Sequence, residues 1–215
     1  MKRAETLVHF HEILAKRPSQ PGDPVSSEVK NLRDDLLRAA VIIGVAALDT
    51  YFTDKFLQKL TQYLKHNKLN DNLVNLLEKA GLSTKVALQI YLDRSKIRKA
   101  RHLHSIVQNY LEKRTTTAFQ RIDELFAAYG IASLSSSVQS KLGKKRVVAS
   151  IERIVERRHE IAHTGDQNGK NSLRRIDRKE IVKRLADIGE FVAESEEFIE
   201  NLGPFKKKSI GRPRK

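Results

Sequence analysis

The 215-residue chain contains no cysteine, which rules out disulfides and thiolate metal sites and is compatible with a reducing compartment. Proline and glycine are scarce, at five and ten residues, so the long segments between them are free to run as helices. Long hydrophobic runs are missing too. The longest, residues 39–48, suits a buried helix and is too short to span a bilayer. The first residues carry Lys2, Arg3 and Glu5 and no apolar core of signal-peptide type. These absences lead to the expectation of a cytoplasmic protein with no membrane contact. No stretch alternates apolar and polar residues as a half-buried strand does, and no internal repeat is found.

Positive charge is abundant. Forty-one lysines and arginines face 26 acidic residues, a formal net charge of +15, and a surplus of that size points to a polyanion, most often nucleic acid. Six of the basic residues sit in the last ten positions, Lys206, Lys207, Lys208, Arg212, Arg214 and Lys215. Apolar spacing divides the remainder into helices. Leu7, Phe10, Ile13 and Leu14 give a short first one, ended by the segment from Pro18 to Pro24. Ser26 or Ser27 is then expected to cap a long helix reaching about residue 65, apolar on every face between Arg38 and Asp49. Further helices are expected over 70–80, 84–93, 96–113 and 118–129, with Gly81 and Gly130 as stops. Residues 133–140 read as a serine-rich connection and 164–171 as a loop. A last helix is expected over 177–202. The implied fold is all-α, an antiparallel helical bundle: an N-terminal helix and linker over 1–25, a helical domain over 26–203, and a disordered basic tail over 204–215.

The chemistry concentrates in Glu156-Arg157-Arg158-His159-Glu160-Ile161-Ala162-His163-Thr164-Gly165-Asp166. Val147, Ile151, Ile154 and Ile161 mark one helix face, and Arg158 falls in the middle of that apolar arc. A guanidinium there is costly unless it is paired or serves a site. His159-Glu160-Ile161-Ala162-His163 matches H-E-x-x-H, in which two histidines share a helix face and the glutamate activates a zinc-bound water. No histidine follows His163, and nothing marks a third ligand, so a zinc hydrolase is a distant alternative and no metal or cofactor is expected. Gly169-Lys170 has the wrong spacing and context for a phosphate-binding loop. Arg158 and His163 offer another chemistry. Arginine holds a scissile phosphate bidentately, and histidine moves a proton near neutral pH. The same pair also has a purely structural reading, with Arg158 as a buried ion-pair residue and His163 as a cation at a helix C-terminus.

The segment from Arg157 to Asp166 resembles the HEPN superfamily, whose hallmark is an arginine, a polar residue and a histidine four to six positions after the arginine. Leu37-Arg38-Ala39 through Ala47-Leu48-Asp49 and Tyr51 is similar to the long helix of its RiboL-PSP-HEPN branch. Thr117, Phe119-Gln120 and Tyr129-Gly130-Ile131 are similar to that branch's middle segment. The resemblance implies an all-α, usually dimeric protein in which arginine and histidine of two subunits meet. Many members cleave RNA without metal, as toxins or in phage defence, leaving a 2′,3′-cyclic phosphate and a 5′-hydroxyl; others only bind RNA. By motif position the resemblance assigns Arg158 and His163 to catalysis, His159 to the supporting polar place and Asp49 to an acidic place that can pair with Arg158. Arg157, Lys170, Arg174 and Arg175 are candidate RNA contacts. RNA, a second copy of the chain and an antitoxin or defence-system partner are the expected partners. Arg158 and His163 lie about 140° apart on an ideal helix. Their convergence needs an unwound helix end, a curled arginine stem or a second subunit. The tail, with Gly211-Arg212-Pro213, resembles an AT-hook, but Ile210 stands where an arginine normally precedes the glycine. Non-specific DNA contact through a disordered basic tail is therefore the expectation for it.

Overall fold

The computed structural model describes residues 1–16, 25–67, 69–92, 96–114, 117–168 and 172–201. Nine helices form among the described residues: α1 (Lys2–Ala15), α2 (Val25–His66), α3 (Asp71–Lys79), α4 (Thr84–Leu92), α5 (Lys96–Leu111), α6 (Phe119–Ala127), α7 (Leu134–Leu142), α8 (Val147–Thr164) and α9 (Arg178–Asn201). The β-structure among them is an isolated antiparallel bridge between Gln167 and Leu173. The chain is all-α.

The long helix α2 is the axis around which the others pack. Leu37, Ala40, Val41, Val45, Leu48, Phe52 and Phe56 are all buried, on faces covered by α1, α5, α6, α8 and α9. Among the described residues α2 alone is long and apolar enough to cross a bilayer by composition. Its apolar residues are the centre of the core, which accounts for that character. Ala4 and Val8 bring α1 into the same core. Gly44 lets α2 and α9 approach: a Cβ there would collide with the buried Leu185 Cδ2. Further along, Phe56 and Tyr129 stack with centroids 4.5 Å apart, and the Tyr129 hydroxyl donates to the Phe56 carbonyl at 2.6 Å.

The lower half of α2 is tied to α9 by charge. Lys55 Nζ, buried, donates to Glu196 and Glu200 at 2.6 Å each, and the buried Lys59 donates to Glu200 at 2.7 Å. The Tyr51 hydroxyl donates to Glu196 at 2.8 Å. Burial alone would pull the Lys55 pKa down, but its hydrogen bonds to the two glutamates hold it above the ordinary lysine value.

Most helix ends follow the local chemistry. The Asn70 side chain accepts from the Leu73 N–H at 2.8 Å and caps α3, and the Asp177 carboxylate accepts from Lys179 and Glu180 N–H groups at 2.7 and 3.3 Å at the head of α9. Gly81 and Gly130 take left-handed φ of 101° and 80° where α3 and α6 stop. Two expectations are corrected. Helix α2 begins at Val25, before Ser26 and Ser27, so neither serine is its cap. The serine-rich stretch is helix α7, with Leu134, Ser135 and Val138 buried. Its first turn is satisfied from outside, because Asp123 of α6 accepts from both the N–H (2.7 Å) and hydroxyl (2.5 Å) of Ser135. That distant cap leaves no local signature. The prolines expected to end α1, Lys170 and the basic tail lie outside the described residues.

Candidate functional site

Helix α8 buries Val147, Ile151, Ile154 and Ile161 against α2 and α9. Arg158 lies on the same arc and is half-buried. Its Nε is enclosed and has no hydrogen-bond partner among the described residues. Asp49, the acidic place of the expected motif, sits half-buried on α2 and is not bonded to that nitrogen.

Helix α8 stays unbroken through Thr164, whose hydroxyl donates back to the Glu160 carbonyl at 2.7 Å. An unwound helix end is therefore not what brings Arg158 and His163 together, and on this helix they remain about 140° apart. His159 and His163, one turn apart, are both exposed on the outer face, their ring centroids 4.2 Å from each other.

Beyond Thr164 the chain turns through two consecutive left-handed residues, Gly165 (φ 61°) and Asp166 (φ 62°). For Asp166 that conformation is unusual but tolerated, and it drives the side chain inward. Asp166 is wholly buried. Its Oδ2 accepts from Arg38 Nε at 2.7 Å and from Arg157 Nη2 at 2.8 Å, while Oδ1 is enclosed without a partner among the described residues. Arg38 also donates to the Arg174 carbonyl at 2.8 Å and to Asp35 at 3.1 Å. Arg157 adds bonds to Glu160 at 3.3 Å and to the Arg175 carbonyl at 3.2 Å. The Arg174 N–H donates to the Asp166 carbonyl at 2.8 Å, which pins the loop onto the helix end. One buried carboxylate thus joins α2, α8 and the loop before α9.

This network decides what several candidate residues do. Arg157 and Arg174, expected as RNA contacts, are engaged within the protein, Arg174 through an ion pair with Glu160. The Arg174 hydrogen bond, with a further contribution from Arg157, holds the Glu160 carboxyl below its ordinary pKa. Arg175 is exposed and lends its backbone carbonyl to Arg157. Glu160, the central residue of the H-E-x-x-H match, faces two guanidinium groups. Among the described residues no group of three His, Asp or Glu side chains is placed to hold a metal ion.

Asp166 and Arg38 had no assigned partnership in the sequence. The available signal was Arg38 itself: an arginine at the head of an all-apolar stretch must find an anion somewhere in the fold. Which anion, 128 residues away, is not written locally.

The RiboL-PSP-HEPN family model matches residues 3–201, nearly the whole chain. No curated protein and no solved structure matches it significantly. The chain belongs to the RiboL-PSP-HEPN family, and this membership points to an RNase or an RNA-binding module.

Proposed function

We propose, on the premise of that membership, that the protein is a metal-independent endoribonuclease of the HEPN type, acting in a toxin or phage-defence setting. The observation that carries the reading is Arg158. Its guanidinium sits in the apolar arc of α8 with its Nε enclosed and unpartnered, while two other arginines of the same region share a carboxylate. A cation without a partner among the described residues at that position is suited to hold an external phosphate.

In the proposed reaction His163 takes the proton of an RNA 2′-hydroxyl as that oxygen attacks the adjacent phosphorus. The bond from phosphorus to the 5′-oxygen breaks, and the leaving oxygen takes up a proton. The products are a 2′,3′-cyclic phosphate and a 5′-hydroxyl. Arg158 neutralises the charge that grows on the phosphoryl oxygens. His159, its ring tilted against that of His163 one turn away, supports the imidazole. The unbroken helix favours a homodimeric site in which Arg158 of one copy and His163 of the other address one phosphate.

The test is cleavage of RNA by the wild type and by Arg158→Ala and His163→Ala chains, with and without EDTA. Activity that survives EDTA and vanishes in both variants is expected. Mixing the two inactive variants should restore part of the activity, because one hybrid site keeps both groups. RNA binding without cleavage by the wild type points instead to a non-catalytic module, and zinc-dependent activity would sink the metal-free mechanism.

A further inference from the structure

Between the N-terminal half of α8 and the N-terminal half of α9 runs an open cleft of about 600 Å³. Six cations line it against two carboxylates, Glu180 and Asp187. Both carboxylates are already engaged. Glu180 is ion-paired to Arg184, and Asp187 accepts from the Ser150 hydroxyl at 2.5 Å. Arg184 also donates to the Ser150 carbonyl at 2.9 Å, and Lys144 pairs with Glu190 just outside the cleft. Four cations remain: Arg146, Arg153, Lys179 and Lys183, all exposed and without a bonded partner among the described residues. Arg157, one turn along α8 from Arg153, is by contrast bonded to both Glu160 and Asp166. The head of α8 opens onto the same space; Arg146 does not cap it, and although the Val148 N–H donates to Gln139 Oε1 at 3.2 Å, the helix dipole adds to the positive field.

We infer that this cleft seats the phosphate backbone of single-stranded RNA on its way to His163, an inference that rests on the proposed function. The cleft is a groove between two adjacent helices, which suits one strand and not a duplex. Arg153 and His163 are ten residues apart on one unbroken helix, about 15 Å along its axis and about 80° around it. The cleft is therefore an approach to the catalytic face, not part of it. Its four cations carry no base-reading geometry, so they contribute affinity and register without sequence preference.

The experiment titrates the full-length protein with a fluorescent 2′-O-methyl RNA, which cannot be cut because the attacking oxygen carries no proton, over a range of salt. A single-stranded DNA of the same sequence forms a second arm. For Arg153→Gln/Lys183→Gln the slope of log affinity against log salt should become shallower on RNA by about 1.4, roughly 0.7 for each phosphate that is no longer neutralised. A control pair away from the cleft, Lys85→Gln/Arg101→Gln, should keep the wild-type slope. Arg146→Gln/Lys179→Gln repeats the measurement with the other two cations, and circular dichroism selects variants that keep their helix content. A wild-type slope in both cleft pairs, with RNA still bound and cut, overturns the cleft and leaves the nuclease standing. A change on DNA with none on RNA also overturns it. A wild type that neither binds nor cuts RNA brings down both.

Discussion

Replacing Asp166 by asparagine tests the network at the end of α8 most directly. Asparagine keeps the volume and accepts the left-handed φ of 62° that this position requires, so the change isolates the charge. The amide oxygen can still accept from Arg38 and Arg157, at 2.7 and 2.8 Å in the wild type, but the negative charge that strengthens both bonds is gone. Arg38 has only 7% of its side chain exposed and cannot turn to water. Breaking a buried ion pair from one side costs about 3–5 kcal/mol. For a chain of this size that corresponds to a fall in Tm of roughly 6–20 °C. Urea unfolding followed by circular dichroism measures it. In the Arg38→Met background the same substitution should cost less, with a coupling of about 0.5–3 kcal/mol in the double-mutant cycle. Asp166→Ala should cost about 1 kcal/mol more than the asparagine, because alanine is strained at positive φ. A loss below about 1 kcal/mol for the asparagine variant, or strict additivity with Arg38→Met, would refute the view that Asp166 binds α2 to α8.

Two further outcomes follow from the packing. His11 is buried at the α1–α2 junction, where burial first, and then Arg33 and Arg178, lower its pKa; stability should fall as pH drops through about 6.5, where the unfolded chain takes up a proton that the folded one resists. The pH dependence of the urea midpoint in wild type and His11→Leu checks this, and an equal slope in both would be inconsistent with it. Gly44→Ala should destabilise by about 1–3 kcal/mol although alanine is the better helix former, because its Cβ meets Leu185. In a Leu185→Ala background the same change should become neutral or favourable, and thermal unfolding of the four chains reads the reversal.

The helices were legible where apolar spacing and local caps agree, as at Asn70 and Asp177. Helix α7 was not, because the groups that satisfy its first turn come from Asp123 on another helix. Arg158 could be picked out because a charge breaks the apolar arc of its own helix, a purely local contradiction. The roles of Arg157 and Arg174 could not, since their partners are set by a turn of two left-handed residues that no periodicity announces. The cleft shares this difficulty. Its cations are spread over two helices and look like ordinary solvated faces until the structure shows which carboxylates are taken.

The paired lysines of α2 act as a vernier. Lys55 and Lys59 are one turn apart, as are Glu196 and Glu200, so the two sets of marks coincide at one setting. Sliding α9 by a single turn, about 5.4 Å, in one direction would carry Glu200 to the place of Glu196 and leave Lys59 facing no carboxylate among the described residues. In the other direction Val192 and Glu196 would stand where Glu196 and Glu200 now stand, so Lys55 and Lys59 would share Glu196 alone. The first slip leaves the buried Lys59 ammonium without its carboxylate, a penalty of several kcal/mol, and the second leaves two buried ammonium groups on one carboxylate. The ion pairs therefore disfavour a one-turn ratchet of α9 along α2 in either direction while leaving small tilts free.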